Sequence, residues 1–92
     1  MPAFDRDLPG NDLIAAGLED LESGVISVPA LLVSIGTPRL EALGVRLPSR
    51  LHDPERRLYE YLRQMDPDAA HSRYNALIRR LVSFERAVAC AR

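Results

Sequence analysis

The sequence predicts an all-α protein, a compact four- to five-helix bundle with a C-terminal helical hairpin and a long last helix. Three observations carry that expectation. Apolar residues recur at three- and four-residue spacing along most of the chain, and no strict alternation marks a strand. Glycine, proline and capping side chains fall where those periodic stretches break. The 92 residues are 47% hydrophobic and 27% charged, a globular composition in a length that fits one core.

Residues 1–10 mix charge with Pro2, Pro9 and Gly10 and read as a flexible lead-in to a single helical domain over 11–92. Asn11 or Asp12 is the expected cap of the first helix. Leu13, Ile14, Gly17, Leu18 and Leu21 share one face, Glu19 and Glu22 lie opposite, and Asp20 borders the stripe. Gly24 suits a left-handed C-terminal cap.

Ser27 is the next cap, with Val28 and Pro29 in the first turn, where a missing amide costs little. The helix from Val28 to Ile35 is apolar nearly all round, which places it either centrally in the core or in an interface. Gly36 ends it. Thr37-Pro38 repeats the cap-and-proline signal for a helix of under two turns, anchored by Leu40 and Leu43 and stopped before Gly44. Residues 45–52, interrupted by Pro48, read as a loop.

Asp53-Pro54-Glu55 combines a capping carboxylate, a first-turn proline and a first-turn acid. Leu58, Tyr61, Leu62 and Met65 form the expected buried stripe of this helix, and Arg56, Glu60 and Arg63 face water. Asp66-Pro67-Asp68 stops it and starts the last helix, expected from Pro67 to about Ala91. At ~1.5 Å per residue that helix is about 36 Å long against about 18 Å for its hairpin partner. Its face is Ala70, Tyr74, Leu77, Ile78, Leu81, Phe84 and Val88, flanked by Arg73 and Arg80 on one side and Arg79 and Arg86 on the other. The half from Leu81 to Cys90 outruns the hairpin, so it must pack on the N-terminal helices or on another chain.

Net charge is −1, which excludes a whole-protein pull toward nucleic acid or membrane. The charge is nonetheless divided. Residues 1–44 carry seven acids and two arginines, a net of −5, and residues 45–92 carry ten arginines and six acids, a net of +4. All twelve basic residues are arginine, which reads as the codon bias of a bacterial genome rather than selection for bidentate contacts. Cys90 is the single cysteine, so no intrachain disulfide forms. The first residues lack a signal-peptide pattern, and the apolar run Val28–Val33 is too short to span a bilayer. The expected location is cytoplasmic.

No motif carries catalysis, and none carries a cofactor or a metal. His52 precedes a helix cap. Asp68 and His71 share a face, but two ligands do not make a metal site. Ser72 beside His71 points off another side of the helix. Arg46, Arg50 and His52 sit in a proline-broken loop. Residues 27–44 have the outline of a helix-turn-helix, yet the second helix offers only Arg39, beside Glu41.

Glu85 stands out because it falls within the apolar stripe, where a carboxylate needs a partner. Three readings are open: an acid serving a small enzyme or ligand site, a salt bridge to an arginine of a neighbouring helix or subunit, or exposure near the frayed end of the helix. On the second, Glu85→Gln lowers the melting temperature or weakens self-association. The function expected is a non-enzymatic protein–protein interaction or accessory module, self-associating as a homodimer or binding another protein. Its candidate interface is Leu81, Phe84, Glu85 and Val88, with Arg73, Arg79, Arg80 and Arg86 as contacts for an anion or partner. The alternative is a nucleic-acid-binding regulator that uses those arginines.

Overall fold

Local capping chemistry sets three of the helix ends, the C-termini of the first and third helices and the N-terminus of the second. The computed structural model describes residues 8–91, which form α1 (Asn11–Glu22), α2 (Val28–Ile35), α3 (Thr37–Ala42), α4 (Pro54–Met65) and α5 (Ala70–Ala91). No strand occurs among the described residues. The all-α bundle with a C-terminal hairpin and a long last helix is therefore the observed fold. Of the expected lead-in, residues 1–7 lie outside the described residues, and Leu8–Gly10 form a turn packed against the body.

Two helices end in the same six-residue motif. After α1, Gly24 takes a left-handed φ of 74°, its N–H donates to the Leu21 carbonyl, and the Val25 N–H donates to that of Asp20. After α3, Gly44 (φ 94°) repeats this, with Val45 donating to Leu40 at 2.9 Å and both of those side chains buried. At the start of α2, Ser27 Oγ accepts the Ala30 N–H at 3.1 Å and donates to Asp20 Oδ2 at 2.6 Å. That bond accounts for an acid at the border of the α1 stripe.

Other ends differ from the sequence expectation. Neither Asn11 nor Asp12 caps α1. Gly10 occupies the cap position with φ 77°, and a side chain there would lie 2.9 Å from the Arg80 carbonyl oxygen. Thr37 and Asp53 supply no side-chain cap. The Thr37 hydroxyl bonds back to the Val33 carbonyl, and the Asp53 carboxylate pairs with Arg56 at 2.7 Å. The last helix begins at Ala70 rather than Pro67. Asp66 holds the Asp68 and Ala69 amides in a turn, and the α-helical ladder starts when Arg73 donates to the Ala69 carbonyl.

The all-apolar α2 is the central element, packed against α1, α4 and α5, with Ala30 through Ser34 buried. Its approach to α1 depends on Gly17, where a Cβ would fall 2.4 Å from Val33 Cγ2 and 2.5 Å from the Pro29 carbonyl oxygen. The second half of α5 packs on its own chain. The backbone at Gly10 lies against Arg80 and Phe84, and Gly36 lies against Leu81 and Glu85. With 22 residues, α5 runs about 33 Å against about 18 Å for α4, close to the 38 Å long axis of the molecule.

Candidate functional site

The first consequence of this packing is a correction. Leu81, Phe84, Glu85 and Val88, expected at an interface, are buried by their own chain, with Phe84 fully enclosed and Glu85 9% exposed. The overhang of α5 is covered because α1 enters, and α2 turns into α3, directly over it. The unsatisfied apolar surface lies elsewhere.

It begins on α4. Of the stripe expected to be buried, Leu58 and Leu62 are, but Tyr61 is 44% and Met65 59% exposed. The helix meets α2 through Leu58 and Leu62, and toward α5 Tyr59 packs edge-on against Tyr74 with ring centroids 5.8 Å apart. Burial raises the Tyr74 hydroxyl pKa above its usual value, helped by the negative charge of Glu55. Met65 shares the face of Leu58 but stands at the last residue of α4, where it is left exposed.

Met65 and Leu62 there border an open groove of about 350 Å³, shared with Val28 at the start of α2 and Ala76 and Leu77 on α5. Arg73 and Arg80 form its rim, and no acidic side chain lines it. Arg80 donates to Asp12 Oδ1 at 2.9 Å, tying α1 to α5 at one end of the groove. Both partners are well exposed, so the pair contributes at most about 1 kcal/mol to stability. Arg73 has no ion pair among the described residues. Sequence reasoning picked out both arginines and placed Leu62 correctly in the core, but missed the groove because Met65 was assigned there too. Periodicity carried no signal for this, because Met65 lies within about 20° of the buried Leu58 around α4 and differs from it in standing at the last residue of the helix.

Arg79 and Arg86, also exposed, lie two turns apart on a different side of α5, about 120° around the helix from the groove rim. Glu85 is the only acid in α5 and is buried, so the exposed surface of that helix carries arginines and no carboxylate.

The Glu85 carboxylate sits beside Gly36, with Oε2 3.2 Å from the point where a side chain on that glycine would begin. Burial raises its pKa above the ordinary carboxylate range, and the positive charge of Arg39 partly offsets this. No ion pair within 4.0 Å forms to it among the described residues, so the expected salt bridge is replaced by a longer-range attraction.

Two further clefts lack convergent chemistry. One, of about 720 Å³, is bordered by Glu22, Glu41 and the Gly44–Pro48 segment, with Val45 buried and the charged side chains exposed. The other, bordered by Arg50–Glu55, holds His52, whose carbonyl accepts from Arg57. Arg46 and His52 thus border separate clefts. His71 pairs with Asn75 rather than Asp68, and no group of three metal-ligating side chains occurs among the described residues. Ser72 and Cys90 are exposed, as are Arg39 and Glu41 on the six-residue α3. None of the described helices is long and apolar enough to cross a membrane.

Comparison with known protein families, with curated proteins and with solved structures gives no match to this chain, so its own groove and surfaces are the basis for a functional reading.

Proposed function

We propose that this chain is a non-enzymatic protein–protein interaction module, a small cytoplasmic accessory subunit that binds through the groove between α2, α4 and α5. One observation carries the reading. Met65, the most exposed large apolar side chain among the described residues, borders a floor of Val28, Leu62, Ala76 and Leu77 between two arginines. Exposed apolar surface rimmed by charge is the usual composition of a docking site. An enzymatic reading has less support, since Glu85 borders none of the three clefts, and His52 forms no side-chain hydrogen bond or ion pair with Asp53 or Glu55, the acids that share its cleft.

The experiment compares wild-type chain with Met65→Glu, both as bait in native lysate and in light scattering. A partner, or a second copy, held by the wild type and lost with Met65→Glu supports the reading. Identical captures by both baits, together with a one-chain mass for both, overturn it.

A second reading rests on the exposed surface of α5, which carries arginines and no carboxylate. Nucleic-acid binding through Arg79 and Arg86, with Arg73 and Arg80, predicts an oligonucleotide affinity that falls steeply as salt rises. A titration that shows no such affinity at low salt removes it.

A further inference from the structure

We infer that the occupant of the groove is an acidic amphipathic helix of another protein. Its apolar stripe sits on Val28, Met65, Ala76 and Leu77, and its carboxylates meet Arg73 and Arg80. The inference rests on the interaction-module reading and specifies the partner.

The chemistry of the lining selects the charge. Every side chain bordering the groove is apolar or arginine. A basic partner would lose water from its cations without gaining a counter-charge. A carboxylate at the rim gains a guanidinium, whose planar fork binds it in a bidentate manner. Arg73 carries no ion pair among the described residues. Arg80 is held toward the groove end by Asp12, an exposed contact that an incoming carboxylate shares or displaces.

The spacing selects the shape. Arg73 and Arg80 are seven residues apart on one helix, about 10.5 Å along its axis. A helix lying along α5 presents side chains at that same two-turn interval. An added strand would need a sheet edge with free backbone groups, which helical walls do not offer.

The same charges disfavour two other occupants. A second copy would set arginine against arginine across an apolar seam lined by no acidic side chain, and like charges at an interface are costly. A nucleic acid would set its phosphates against a mostly apolar floor, which offers them no donors.

The test uses the full chain and a fluorescein-labelled synthetic helix of about eighteen residues, with leucines along one stripe and glutamates beside it. A counterpart carries lysine in place of every glutamate. Anisotropy should show the acidic helix bound at least about tenfold more tightly than the basic one, with amide shifts at Ala76 and Leu77. Arg73→Glu combined with Arg80→Glu should invert the preference, and Met65→Glu should abolish binding of the acidic helix. These residues are exposed, so unchanged circular dichroism and melting temperature establish that the variants are folded.

Equal binding of both helices, or a preference that survives the charge reversal, overturns the acidic partner and leaves the interaction module standing. A homodimer dissolved by Met65→Glu, or a duplex oligonucleotide that displaces the acidic helix from wild type, likewise overturns it. Failure of both helices to bind, with a monomer whose lysate captures ignore Met65→Glu, overturns both inferences.

Discussion

The backbone N–H of Leu51 donates to Ser34 Oγ at 3.0 Å, so a hydroxyl buried in the central helix holds the α3–α4 connection from seventeen residues away. The same hydroxyl donates to the Ala30 carbonyl at 2.9 Å. Ser34 is thus the one polar side chain in α2, and both its hydrogen-bonding capacities are used.

Ser34→Ala should cost about 1–3 kcal/mol, because it strands a partly buried amide without removing it. Urea denaturation measures the loss. Hydrogen exchange at Leu51 should accelerate more than exchange within α5, as expected for local release of the loop. An unchanged midpoint would mean that water replaces the hydroxyl.

Gly17→Ala should be among the more disruptive single-methyl additions in the chain. Its Cβ meets Val33 Cγ2 and the Pro29 carbonyl, and a carbonyl cannot rotate aside as a long side chain can. Separating α1 from α2 should destabilise the fold by about 1–3 kcal/mol. A thermal melt that matches wild type would show that the two helices slide apart freely.

Glu85→Gln should raise the melting temperature at pH 7, the opposite of the change expected from sequence alone. Burial lifts the folded-state pKa above 4.5, so between 4.5 and that raised value the folded chain holds a proton the unfolded chain releases. Stability from this site is therefore greatest below pH 4.5 and falls as pH rises through the folded pKa. The gain from glutamine should shrink toward zero in acid. Melts at pH 4 and pH 7 check the sign, and a lower melting temperature at both would indicate a close ionic partner instead.

Asp53 has φ 49° and ψ 53°, left-handed geometry in a residue other than glycine. Asp53→Gly and Asp53→Ala both remove the exposed Arg56 pair, so comparing them isolates the backbone. Alanine should be less stable than glycine by about 1 kcal/mol, measured by denaturation. Equal stabilities would show that the turn relaxes.

Much of the fold was legible because its signals are local. Gly24, Gly44 and Ser27 act within six residues of chain, and their geometry follows from backbone sterics and one or two hydrogen bonds. The misassigned caps at Asn11, Thr37 and Asp53 share a different cause. A capping side chain has a local option and a competing one, and here the entry of Gly10 over α5, the Val33 carbonyl and Arg56 prevailed.

The candidate site was legible only in pieces. Periodicity assigns Leu62, Met65, Phe84 and Glu85 to apolar stripes, and composition places arginines along α5. Neither says which part of a stripe a neighbour covers. That depends on where helices distant in sequence cross, and here the crossings sit at Gly10, Gly17 and Gly36. They bury Phe84 and Glu85 and leave Met65 in the open. Residue type and spacing are thus enough for helices, caps and an all-α core. The identity of the exposed apolar surface comes from three-dimensional packing, because burial is a property of two elements together and periodicity describes only one.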